Sequence, residues 1–263
     1  MAEILNAVAV CAAMQPIRIS GKHLGALSLP DFCPRCFWVR LKCRDKIPFT
    51  FFPGIFSSID PYTKKVTSFH HEKYSKVPKW LNGFGELGKP LPVPPHSKFQ
   101  TLDPETNVLL TGVMDELYRR RDASLVILDN KTARFTANQD KLLPLYEVQL
   151  YSYAWIAERL GMGKVGALGL VYYEPQTDLT TKTVDEVLLK DGFAMRFQAK
   201  VLPLDLRLDR IPPLLQKVRD IYDLATAPTG RTGCKDCRML DRLMKVAMNN
   251  GARAVIPAKA VQG

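Results

Sequence analysis

The chain has 263 residues, 46% of them hydrophobic, enough to bury one sizeable core or one core with a small appendage. Its 37 Lys and Arg outnumber 26 Asp and Glu, a formal charge of +11 that favours a polyanionic partner, because clustered cations on phosphates release condensed counterions. No stretch approaches the ~20 consecutive apolar residues of a membrane-crossing helix, and there is no internal repeat or long low-complexity tract.

Residues 1–27 read as a leader. The opening MAEILNAVAVCAAM is mildly apolar but lacks a basic start and carries Glu3, which argues against a secretory signal and for a cytoplasmic protein. In a reducing compartment, paired cysteines are more often metal ligands or redox groups than disulfides. Residues 28–263 read as one domain. The stretch 28–44 (SLPDFCPRCFWVRLKCR) predicts a short helix capped by Ser28 or Asp31, with Phe32, Cys36, Phe37 and Leu41 near helical spacing. Residues 45–106, rich in Pro and Gly with scattered aromatics, predict a loop-rich or helical insert beside a cleft.

From 107 to 175 the pattern sharpens. NVLLTGVMDELYRRR predicts a strand, RDAS a turn and SLVILDNKTA a second strand. Leu142–Leu160 has helical periodicity, with Gly161 as its stop, and GALGLVYYEP predicts a further strand. In 176–229, residues 183–190 predict another strand and Ile211–Leu224 another helix; 230–263 holds GCKDC and a basic helical stretch. Strands, a crossover helix and a further strand imply an α/β fold, a mixed sheet flanked by helices.

Side chains at i and i+2 of a strand share a face, so Asp129 and Lys131 project together from the end of an apolar strand. If the two strands pair across RDAS, Asp115 comes near Asp129. Two convergent carboxylates suit a hard cation such as Mg²⁺ or Mn²⁺, which lowers the pKa of a bound water and polarises a phosphate. Lys131 would orient that water or stabilise developing charge. On the following helix, Gln149 and Tyr153 are four residues apart and share a face. The plainer alternative is a sheet-edge salt bridge beside a half-buried helix.

Two C-x-x-C pairs, Cys33/Cys36 and Cys234/Cys237, together supply four thiolates. That number suits tetrahedral Zn²⁺ or an iron–sulfur cluster, and either would dock the two ends of the chain together. Basic residues around both pairs, and Arg119, Arg120 and Arg121 near the turn, read as a DNA-guiding surface or as solvated faces.

Taken in order, Gly112 to Asp115, Asp129 to Lys131 and Gln149 to Tyr153 resemble the Gly-x-x-Asp, Asp-x-Lys and Gln-x-x-x-Tyr motifs of the RecB-type branch of the PD-(D/E)XK nucleases. The resemblance covers 107–175 closely and the rest more loosely. It implies a PD-(D/E)XK core, metal-binding Asp115 and Asp129, a catalytic Lys131, supporting Gln149 and Tyr153, and an upstream metal-binding His. His70 and His71 are the candidates for the last, with His96 behind them. It further implies exonucleolytic or flap-type hydrolysis of DNA with single-stranded or free ends, in repair, recombination or CRISPR adaptation, and a [4Fe–4S] cluster like that of some CRISPR-associated and helicase-nuclease members. Those members usually place one cysteine upstream and three downstream, whereas this chain offers two and two. The rival readings are a non-catalytic DNA-binding module and a zinc-stapled interaction protein.

Overall fold

The computed structural model describes residues 15–43, 54–134 and 141–248. The readings made above for residues 1–14, for 44–53 and for the tail beyond Met248 lie outside the described residues. In chain order the elements are β1 (Ile17–Ser20), α1 (Gly21–Gly25), α2 (Pro34–Lys42), α3 (Gly54–Tyr74), β2 (Leu87–Leu91), β3 (Gln100–Asp103), β4 (Val108–Thr111), β5 (Glu116–Arg120) and β6 (Leu125–Lys131). After these come α4 (Leu143–Arg159), β7 (Val165–Pro175), β8 (Leu188–Leu189), β9 (Gly192–Phe193), β10 (Phe197–Leu204), α5 (Ile211–Asp223) and α6 (Lys235–Met248).

A five-stranded mixed sheet, ordered β10-β7-β6-β5-β2, forms the centre; β6 and β7 run parallel and every other pair is antiparallel. β6 is the middle strand, and Leu125 to Asp129 are all buried because both faces of the sheet are covered. Leu125 and Ile127 join the main core with α4, while Val126 and Leu128 join a second cluster with Leu81, Phe84, Tyr118, Val171 and Tyr173. The period-2 alternation of one strand thus separates two cores.

α4 bridges β6 and β7. It is apolar on nearly all sides and correspondingly buried, from Leu145 through Val148, Leu150 and Ala154 to Ala157. It ends as the sequence predicts. Gly161, at φ +69°, donates to Glu158 O at 3.0 Å, and Met162 donates to Ala157 O at 3.0 Å, a Schellman ending.

Four expectations need correction. The segment 107–121 is not one strand: it breaks at Gly112–Asp115 into β4 and β5, which belong to different sheets. β4 sits between β3 and a parallel β1 in a three-stranded sheet. The supposed leader contributes part of the core, with Ile17, Ile19, Leu24 and Leu27 buried. The helix cap near residue 30 is Cys33, with Pro34 in the first turn, where its missing N–H costs nothing. Residues 183–190 give a 3-10 turn at Val184–Glu186 and the short β8, while the long strand of that region is β10. β10 was missed because Lys200 and Pro203 interrupt its apolar pattern; both are tolerated on an edge strand.

Candidate functional site

The three predicted motifs meet at one end of the central sheet. β5 and β6 pair antiparallel with Glu116 opposite Leu128, so Asp115 stands beside the end of β6, where its Oδ2 accepts the backbone N–H of Asn130 at 2.8 Å. The break that precedes Asp115 lies under a tertiary contact. A Cβ at Gly112 would lie 2.8 Å from the Tyr153 ring and 2.9 Å from Phe99, so only glycine lets the chain pass under that ring.

On the α4 side of the sheet, Asp129 Oδ2 lies 2.5 Å from Lys131 Nζ. Gln149 Nε2 donates to Asp129 Oδ1 at 2.9 Å and contacts Tyr153 OH at 2.6 Å, while Gln149 Oε1 accepts from Lys131 at 3.4 Å. Lys131 Nζ also stands 4.1 Å from the centre of the Tyr146 ring, a cation–π contact. Asp129 is 2% exposed, and its Oδ2 makes no hydrogen bond of good geometry despite the adjacent ammonium. Burial raises the Asp129 carboxyl to about 6; Lys131 pulls it down and Asp115 pushes it further up.

On the opposite side, α3 supplies Lys64, whose Nζ lies 2.8 Å from Asp115 Oδ1 and 2.9 Å from Asp60 Oδ2. Burial alone would lower the Lys64 pKa; Asp115 and Asp60 outweigh it and hold it above its ordinary value. Asn130 points away from Asp129 and donates to Glu116 Oε1 at 2.9 Å, and Glu116 also accepts from Tyr118 at 2.6 Å. Burial pushes the Glu116 carboxyl up, against the bonds from Tyr118 and Asn130. Lys22 on α1 completes the surroundings: partial burial of its ammonium, then the neighbouring Lys131, lower its pKa, while Asp129 opposes them.

The expected histidines do not join this cluster. His70 Nδ1 is bonded to the Lys76 carbonyl at 2.9 Å, and its ring packs on Tyr74. His96 lies 3.4 Å from Arg18, and half-buried His71 is not among the partners found for Asp115 or Asp129. Nor do the three arginines of the turn. Strand β5 runs away from the site, and Arg120 binds Phe84 O at its far end at 2.7 Å. Sequence reasoning missed Lys64, Glu116, Asn130 and Lys22. Asp60 and Lys64 do show an i,i+4 charge pair, but nothing in the sequence tells which strand end it faces.

The four predicted cysteines come together at the other end of the chain's path. Cys33 Sγ lies 3.5 Å from Cys237 Sγ, and Cys36 Sγ lies 3.5 Å from Cys237 and 3.6 Å from Cys234. All four sulfurs are within 4.8 Å of one another, and among the described residues this is the one group of three or more Cys, His, Asp or Glu so arranged. The quartet joins the start of α2 to the start of α6, with Arg35 binding Asp241 through both terminal nitrogens at 2.6 and 3.2 Å. Four thiolates are a donor set that either Zn²⁺ or an iron–sulfur cluster takes, so the quartet is a candidate metal centre.

No family model and no curated protein matches the chain. Among solved structures, the crystal structure of SSO0001 is similar at a TM-score of 0.36 and 13% identity, covering 91% of this chain and 92% of that one. A likeness of that size assigns neither family nor function. No helix among the described residues is long and apolar enough to cross a membrane.

Proposed function

We propose that this chain is a divalent-metal-dependent deoxyribonuclease with a PD-(D/E)XK-type core, acting on DNA with free ends or single-stranded stretches. The observation that carries the reading is the meeting of Asp115, Asp129, Lys131, Gln149 and Tyr153 at one sheet end. A surface salt bridge would not require a fully buried carboxylate fixed by a glutamine that is itself fixed by a tyrosine.

The proposed cation is Mg²⁺ or Mn²⁺. Mg²⁺ is usually held by one or two carboxylates, with water and substrate phosphate filling the other positions. Asp115 and Asp129 would supply those carboxylates, with Asp129 Oδ2 exchanging its Lys131 ion pair for the cation. When bound, the cation lowers the pKa of a water and polarises the scissile phosphate. Gln149 holds the Asp129 carboxylate in place and Tyr153 holds Gln149. Lys131 stabilises negative charge gathering on the phosphate. Lys22 adds a second cation at the same edge, and the net charge of +11 favours the DNA backbone generally.

A non-catalytic DNA-binding module is the second reading. Lys64 favours it, because its ammonium already neutralises Asp115 at 2.8 Å. End-labelled single- and double-stranded DNA incubated with Mg²⁺, Mn²⁺ or EDTA separates the two. The nuclease gives metal-dependent products that fall at least ~100-fold in Lys131→Ala, with DNA affinity kept. Tight, salt-sensitive binding without any product selects the second reading. Neither binding nor cutting ends both.

A further inference from the structure

We infer that the four cysteines hold one tetrahedral zinc ion and not a [4Fe–4S] cluster. The resemblance drawn from the sequence implies the cluster, and the sulfur geometry disagrees with it. With a zinc–sulfur bond of ~2.3 Å, the four sulfurs of a tetrahedral site stand ~3.8 Å apart. Three pairs here measure 3.5, 3.5 and 3.6 Å, and no pair exceeds 4.8 Å. A cubane cluster bonds each thiolate to a different iron and directs it outward, so the sulfurs stand on the order of 6 Å apart. A two-iron cluster keeps each pair close but sets the pairs apart, which the 3.5 Å Cys33–Cys237 approach across pairs contradicts.

The surroundings oppose opening the quartet to cluster size. A Cβ at Gly230 would lie 2.7 Å from Cys237 Sγ, so the backbone there is seated directly against the sulfur. Cys33 Sγ accepts the Arg231 N–H at 3.2 Å, and the Arg231 side chain reaches back to Asp31 O at 3.0 Å. Residues 230–231 therefore press on the quartet from one side. The donor set agrees with the geometry. Two C-x-x-C pairs, each opening a helix, present four thiolates near helix N-termini, where backbone N–H groups favour negative charge. Such a soft, tetrahedral set is the usual holder of structural zinc.

The test uses the full chain, purified with and without air from cells supplied with both iron and zinc. Elemental analysis should find about one zinc per chain, no acid-labile sulfide and no brown colour in either preparation. Exchange with Co²⁺ should give the visible bands of a tetrahedral thiolate site. Cys43→Ser, at an exposed thiol outside the quartet, should keep both results. Iron with labile sulfide, in either preparation, would overturn the inference. So would a metal-free chain whose thiols all titrate and which takes up no Co²⁺. Cys36→Ser should lose the Co²⁺ bands. If that variant misfolds, the wild-type spectrum decides alone. None of these readouts depends on DNA cleavage, so a zinc-loaded but inactive chain sinks the nuclease reading and leaves this one standing.

Discussion

At the scale of single residues, Asp129 carries a conflict between stability and chemistry. Its carboxyl is raised to about 6 because burial penalises the charge more than Lys131 relieves it. An acid whose pKa is higher folded than unfolded binds its proton more tightly in the native state. The contribution therefore favours folding below the ordinary carboxyl range, is lost as pH rises from about 4 to about 6, and stays lost above that. Asp129→Asn removes the penalty, since an amide oxygen can still accept from Gln149. The variant should melt higher than wild type at pH 8, with the difference vanishing near pH 4. Thermal melts across pH check this, and equal melting temperatures at pH 8 would refute it. The same substitution should abolish metal-dependent cutting, which is the usual trade where a site is built for charge rather than for packing.

At the scale of elements, the site depends on how closely α1 and α4 approach. A Cβ at Gly25 would lie 2.3 Å from the Leu145 carbonyl oxygen, and one at Gly21 would lie 2.7 Å from Ser152 Cβ. The first obstruction is backbone and cannot rotate away. Gly25→Ala should therefore destabilise the fold by roughly 1–3 kcal/mol in denaturant unfolding, as overpacking does. Gly54→Ala, where nothing lies within 4 Å, should stay within about 0.5 kcal/mol. Comparable costs at the two positions would mean that α1 is not locked against α4. α1 carries Lys22, while α4 carries Gln149 and Tyr153, so the Gly25 variant should also lose cleavage.

The same contacts explain what was legible in the sequence. Asp129 with Lys131, and Gln149 with Tyr153, are related by the periods of a strand and a helix, so they can be read locally. The hairpin that brings Asp115 to Asn130 follows from its turn. The break after Thr111 does not, because it is imposed by the Tyr153 ring some forty residues later in the chain. Lys64 reaches Asp115 only through the docking of α3, and β1 enters the core only by pairing with β4. The cysteine pairing was legible because a shared spacing survives any distance along the chain. The choice between zinc and a cluster was not, because spacing does not fix the distances between sulfurs.

At the scale of the whole molecule, the cysteine quartet holds two unequal partners. α2 buries Phe37 in the main core, and its Trp38 Nε1 donates to Leu224 O at 3.2 Å, so it is anchored without a metal. In α6, Cys237 is the one buried residue, while Met239, Leu243, Met244, Val246 and Met248 are exposed. Beyond the sulfurs, a half-exposed Arg35–Asp241 pair ties it to α2, and ion pairs in water contribute ~1 kcal/mol or less. A metal bridging sulfurs 198 residues apart closes a long loop, which is worth about 5 kcal/mol by analogy with a disulfide of that span. Metal removal should therefore release α6 before it unfolds the sheet. Limited proteolysis of chelator-treated protein should cut first between Leu224 and Met248, leaving a stable fragment that ends near α5. The untreated chain should resist the same protease dose. If the first cuts fall instead in the central sheet, the centre supports the whole fold rather than one helix; if protection is unchanged by chelation, it is no staple.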